Sequence, residues 1–177
     1  MTALRSFSKM AGCAAAALIF AGVPAAAEDG PDLPPAPQAT IVAGAKACLG
    51  STIDSSGQTA RFAGWAPATP DQKKGVNVDS DGIVVQRDNV MIAFKTGTDG
   101  GCVVMATAAA DFDLATFYPQ ISTVVGATVQ PAEAPVPITL PNGEIFVPVI
   151  SPKTASAAPK VILVFANSAS KFAKKGN

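Results

Sequence analysis

Apolar residues in this chain gather into short β-branched runs rather than long helical stripes. Gly82-Ile-Val-Val-Gln86, Asn89-Val-Met-Ile-Ala-Phe-Lys95 and Gly101-Cys-Val-Val-Met-Ala-Thr107 are each bounded by turn residues, and each predicts a strand. Thr96-Gly-Thr-Asp-Gly-Gly101 between the second and third runs predicts a hairpin. Farther on, Ile138 to Val147 carries Asn142-Gly143 at its centre, the pair that a tight hairpin turn favours. Lys160-Val-Ile-Leu-Val-Phe-Ala166 is the most apolar run and predicts a central strand.

Helical spacing appears in three places. From Ala39 to Leu49, the residues Ile41, Ala45, Cys48 and Leu49 fall near one face, and Gly50 ends the pattern. Gln58 to Phe62 predicts a shorter helix, ended by Gly64, and Pro67 and Pro70 then predict a break. Leu114, Phe117, Tyr118, Ile121, Val124 and Val125 recur at steps of three and four, with Asp111 as the expected cap. Pro119 inside that pattern predicts a kink or a split, because it removes one backbone donor. Together these elements predict an α+β fold: an antiparallel sheet of about five strands with two or three helices packed on one face.

The start of the chain has a different character. Arg5 and Lys9 precede an uncharged apolar run from Met10 to Val23, and Pro24-Ala-Ala-Ala27 leads to the first acids, Glu28 and Asp29. A basic start, an apolar middle and small residues before a charge predict a cleavable secretory signal peptide over 1–27, cut after Ala27. The apolar run is about 14 residues, short of the ~20 needed to span a membrane. No membrane span is expected in the mature chain, whose place is then the periplasm or the extracellular medium. Cys13 precedes most of the apolar run and so does not fit a lipid-attachment site. A Pro-rich leader over 28–38, a single domain over 39–168 and a Lys-rich tail over 169–177 complete the organisation.

Cleavage changes the composition that matters. Removing residues 1–27 from the 177 leaves 150, a normal length for one domain. The 13 basic and 13 acidic residues become 11 and 13 once Arg5 and Lys9 are gone, a balance that argues against nucleic acid as a partner. Losing Cys13 leaves the even pair Cys48 and Cys102, for which a disulfide is the expectation in an oxidising compartment.

Candidate chemistry is sparse. The chain has no histidine, which removes the Ser-His-Asp and Cys-His arrangements and the commonest general base. Lys95-Thr96-Gly97 and Ser168-Ala-Ser-Lys171 match two short motifs of serine β-lactamases, but in reversed order and without the Ser-x-Asn triplet. Asn77, Asp79 and Asp81 with Gly82 match the front half of a calcium loop, with Val84 at position 8 and Asp88 at position 12. Asn replaces the usual Asp at the first position, Asp88 is shorter than the bidentate Glu, and no helix flanks the loop. An Asp-Gly turn leading into a strand is therefore the preferred reading. Asp79/Asp81 and Asp111/Asp113 are acid pairs too close in sequence to imply the facing carboxylates of a glycosidase. Trp65 and Tyr118 read as core aromatics. No catalytic residue and no cofactor is expected. What remains is an exported, non-enzymatic binding or structural module that engages an envelope protein or component. Two alternatives are an inhibitor or accessory subunit of an envelope enzyme, and a small hydrolase using Ser-Lys or Asp chemistry.

Overall fold

The structure, a computed structural model, describes residues 32–73, 76, 82–97, 100–132, 134–151 and 158–168. The signal peptide and its cut after Ala27, the residues Asn77, Asp79 and Asp81, Lys171 and the tail over 169–177 lie outside the described residues.

Chain order runs β1 (Pro35–Ala36), α1 (Gln38–Cys48), α2 (Gln58–Arg61), β2 (Ala66–Pro67), α3 (Pro70–Lys73), β3 (Ile83–Arg87), β4 (Val90–Lys95), β5 (Gly101–Ala108), α4 (Leu114–Val125), β6 (Ile138–Thr139), β7 (Glu144–Ile150) and β8 (Lys160–Asn167). The strands form one sheet in the order β2-β3-β4-β5-β8-β7-β6, antiparallel throughout, with β1 added parallel to the end of β5. The α+β class and the antiparallel sheet thus agree with the sequence pattern. The counts do not: among the described residues the sheet holds eight strands rather than about five, and there are four helices rather than two or three, two of them single turns of four residues. The extra pieces β1 and β2 are two residues each, too short to show any alternation.

Three local expectations need correcting. Pro70 does not break the chain but opens α3, where its missing N–H is not needed. Thr69 and Gln72 cap that turn reciprocally: the Thr69 amide donates to Gln72 Oε1 at 2.8 Å and the Gln72 amide to Thr69 Oγ1 at 3.3 Å. The cap of α4 is Asp113, not Asp111; its carboxylate accepts from the Ala115 amide at 3.0 Å. Pro119 does not split α4, which runs as one helix to Gly126 in the left-handed conformation.

Antiparallel register places rows of side chains across the sheet. On one face, Phe94, Cys102, Phe165 and Phe146 align, as do Val85, Ile92, Val104 and Leu163. Helices α1 and α4 lie against this face and against each other, and their buried residues Ile41, Ala45, Phe117, Ile121 and Val125 complete the main core. Trp65 is part of that core, and Phe62 stacks on Phe94 with ring centroids 4.1 Å apart. Tyr118 is half-buried beside it, and that burial pushes its hydroxyl pKa above the usual value.

Helix α1 crosses close to β5 at Gly44. A Cβ there would lie 2.9 Å from Val104 Cγ1 and 3.4 Å from Trp65 Cη2. Gly44→Val should therefore lower stability by about 1–3 kcal/mol through overpacking, despite replacing a poor helix former. A urea midpoint unchanged by the substitution would show that α1 can lift without loss.

Cys48 at the end of α1 and Cys102 on β5 form a disulfide, with Cα atoms 5.5 Å apart and 54 residues between them. Both are fully buried. The bond is consistent with an oxidising, extracellular compartment.

Candidate functional site

The second face of the sheet is the feature that the first does not explain. An antiparallel sheet commonly turns one face to the core and the other, polar, to water. Here the alternating polar positions are missing. Val84, Ala93, Val103, Val164 and Val147 form one row across five strands, and Met91, Met105, Ile162 and Val149 form the next. Over β3 and β4 this face is covered: Ala68, Val84, Met91, Ala93 and Met105 are buried together, with Leu33 and Val76 packed against them. The cover reaches β5, where Met105 is buried and Val103 packs against the same cluster, and thins over β8 and β7. Ile145, Val147, Val149, Ile162 and Val164 are partly buried, neither in the core nor fully exposed. The result is a neutral aliphatic strip on β8 and β7, with Val103 of β5 at its margin.

Its ends are polar. Lys160 pairs with Asp32 at 3.6 Å beside Leu33, and Lys95 closes β4 at the other end. The neighbouring sheet edges are blunted. Ser151 donates its amide to Lys160 O while Glu144 O accepts from Leu140, so the even-numbered residues of β7 direct their backbone groups outward. Pro148 occupies such an outward position beyond the end of β6, and it has no N–H to offer. At the opposite edge β2 is two residues long and contains Pro67.

A second polar cluster lies at one end of the same strands. Glu144 is fully buried, yet every oxygen is satisfied. Its Oε2 accepts from the Gly50 amide and from Asn142 Nδ2, each at 2.7 Å. Its Oε1 accepts from the Thr52 hydroxyl at 2.6 Å and the Thr52 amide at 3.3 Å. Gly50 needs its positive φ of 77° to aim that amide, and a Cβ there would sit 2.9 Å from Arg61 Nη1. Arg61 donates in turn to Leu49 O and pairs with Asp54 at 3.6 Å. A carboxylate with this many fixed donors joins the turn after α1 to the β6–β7 hairpin; it offers no free lone pair to a substrate.

Residues singled out from sequence are dispersed or occupied. Asp88 sits with Asn89 in the β3–β4 turn at positive φ, accepts from Thr40 Oγ1 at 3.2 Å and pairs with Arg87 at 3.4 Å. Among the described residues no group of three or more His, Cys, Asp or Glu side chains could hold a metal. Asp113 is used as the α4 cap, and Asp111 is exposed two residues before it. Asn167, just before Ser168, donates to Gly97 O at 3.4 Å, so the two β-lactamase-like segments do approach each other, although Lys171 lies outside the described residues. A groove of about 120 Å³ beside Lys95 and Thr96 is lined by Gln58, Ile83 and Phe94. It is too small for a drug-sized ligand, which needs roughly 300 Å³ or more.

Neither the aliphatic strip nor the Glu144 cluster was singled out from the sequence. For the strip the sign is the unbroken apolar run of β8 and of β7, Glu144-Ile-Phe-Val-Pro-Val-Ile150, where a half-solvated strand would alternate. For Glu144 there is none: an acid following Asn-Gly reads as a solvated hairpin residue. No family model matches the chain, no curated protein matches its sequence and no solved structure matches its fold.

Proposed function

We propose that the mature chain is a small exported binding module without catalytic chemistry of its own, and that it engages a protein of the cell envelope. The observation that supports this reading is the partly buried, uncharged aliphatic strip of Ile145, Val147, Val149, Ile162 and Val164 on the face away from α1 and α4. Exposed contiguous apolar surface is destabilising to leave in water and marks interaction sites in soluble proteins. The disulfide supports the exported setting.

Affinity capture from periplasmic extract should recover one stoichiometric protein with the wild-type chain. Val164→Asp places a carboxylate that the interface must desolvate, and recovery should fall at least about tenfold while the fold is retained. Equal recovery by wild type and variant would rule out this face as the binding surface.

A further inference from the structure

We infer that Asn142 is a deamidation site guarded by the Glu144 clamp, and that its conversion to a carboxylate releases the β6–β7 hairpin from the turn after α1 and keeps it released. Asn142-Gly143 is the only Asn-Gly pair in the chain. Such a pair is open to attack by the backbone nitrogen on the preceding side chain, because glycine has no Cβ to hinder the approach. Asn142 is exposed, and a Cβ on Gly143 would meet nothing within 4 Å beyond its chain neighbours, so water reaches the turn.

The only co-reactant is water. The Gly143 nitrogen bonds to Asn142 Cγ and loses its proton through solvent to Nδ2; the Cγ–Nδ2 bond breaks and Nδ2 leaves as ammonia. Water then opens the cyclic imide at either carbonyl, leaving aspartate or isoaspartate at 142. In the folded turn each participant is held. The Gly143 amide donates to Leu140 O at 2.9 Å. Asn142 Nδ2 donates to Glu144 Oε2 at 2.7 Å, and Asn142 Oδ1 accepts from the Glu144 amide at 3.1 Å. Attack must break the first bond and turn the carboxamide out of the other two. Glu144 is itself fixed by the Gly50 amide and by both donors of Thr52, so the guard yields when that clamp opens locally. The product prevents reclosure. A carboxylate at 142 offers Glu144 Oε2 no donor and sets a second negative charge beside a fully buried acid. The closed clamp protects the amide, and loss of the amide forbids the closed clamp.

The test follows Asn142 in the full, disulfide-bonded chain by peptide mass after digestion at acid pH, during incubation at mildly alkaline pH with and without unfolding urea. Native Asn142 should deamidate at least about tenfold more slowly than unfolded Asn142. Glu144→Gln should raise the native rate at least about fivefold, and Thr52→Val, a milder loosening of the same clamp, should move it in the same direction. Asn142→Asp stands for the product: amide exchange at Gly50 and Thr52 should quicken at least about tenfold, and by more than in Asn142→Ala, while Val104 and Leu163 stay protected. Equal rates in native and unfolded wild type would overturn the guard. Wild-type rates in both clamp variants would overturn the part that Glu144 plays in it. Wild-type protection of Gly50 and Thr52 in Asn142→Asp would overturn the release.

Discussion

Removing the disulfide by Cys48→Ala with Cys102→Ala should lower the stability of the folded chain by at least about 4 kcal/mol. The bond closes a loop of 54 residues, and the chain-entropy relation for that length gives the figure directly. Two further losses accompany it. Both sulfurs are fully buried between α1 and β5, so truncation to alanine leaves unfilled space beside Phe94 and Phe165. The bond also holds the end of α1 next to the Gly50–Thr52 turn, which has no other covalent tie to the sheet. For a domain of this size the melting temperature should fall by roughly 10–15 °C. Thermal unfolding of the double variant against wild type checks this, and intact mass should show wild type two hydrogens lighter than its reduced form. Two alkylatable thiols in the unreduced, unfolded wild-type protein would contradict the bond itself. Because the loop-closure part of the loss is set by the unfolded chain, reducing agent added before refolding should reproduce that part in the wild type, without the added loss from truncation.

The same pair shows what could be read in advance and why. If residues 1–27 are a cleaved leader, Cys48 and Cys102 have only each other as intramolecular partners, so the pairing needed no geometry. Strands β3, β4, β5 and β8 were equally legible, because β-branched runs end at Gly, Asn or Asp and the β4–β5 turn is dense in glycine. Helix α1 was legible for the opposite reason: Ile41, Ala45 and Cys48 keep helical spacing, and they are buried on one face. Failures came where one residue type serves two purposes. Proline breaks a helix interior yet is favoured at the first helical position, and for Pro70 the Thr69–Gln72 pair is the cue that separates the two. Asp111 and Asp113 are equivalent as cap candidates in sequence; only the backbone direction at Asp113 selects it.

The binding strip illustrates a subtler limit. An unbroken apolar strand can mean burial on both faces or an apolar face left for a partner, and residue order is the same in both. Along β8 the helix-side residues Val161, Leu163 and Phe165 are fully buried, while Ile162, Val164 and Ala166 between them are only partly buried. The two sets differ in what lies above them: Ala68 and Val76 join the cluster on this face with Val84, Met91, Ala93 and Met105, while Ile162 and Val164 are not part of it. That information is in the path of a loop, not in the strand. Chemistry that depends on few residues faces the same problem, since Lys95-Thr96-Gly97 and Ser168 approach through an Asn167 contact that no motif encodes.

Glu144→Gln should be nearly as damaging as loss of the disulfide, at about 2–4 kcal/mol, although it preserves shape and volume. All four hydrogen bonds to this carboxylate run inward: from the Gly50 amide, the Thr52 amide, the Thr52 hydroxyl and Asn142 Nδ2. A glutamine has one oxygen and one NH₂ for four donors. With the NH₂ at the Oε2 position it faces the Gly50 amide and Asn142 Nδ2, donor against donor. With the NH₂ at Oε1 it faces the Thr52 amide, and only the Thr52 hydroxyl can turn to accept. Either choice strands at least one buried backbone N–H, and each such group costs about 1–3 kcal/mol. Asn142→Ala removes one donor at an exposed turn and should cost only about 1 kcal/mol, which separates the loss of a donor from the orphaning of one. Hydrogen exchange supplies the reading that a general loss of stability would not. In Glu144→Gln the amides of Gly50 and Thr52 should lose protection far more than those of Val104 or Leu163 in the sheet, because the turn opens locally before the core does. Uniform loss across all four amides would mean that Glu144 supports the whole fold; no change at Gly50 and Thr52 would mean that the clamp contributes nothing to the turn it holds.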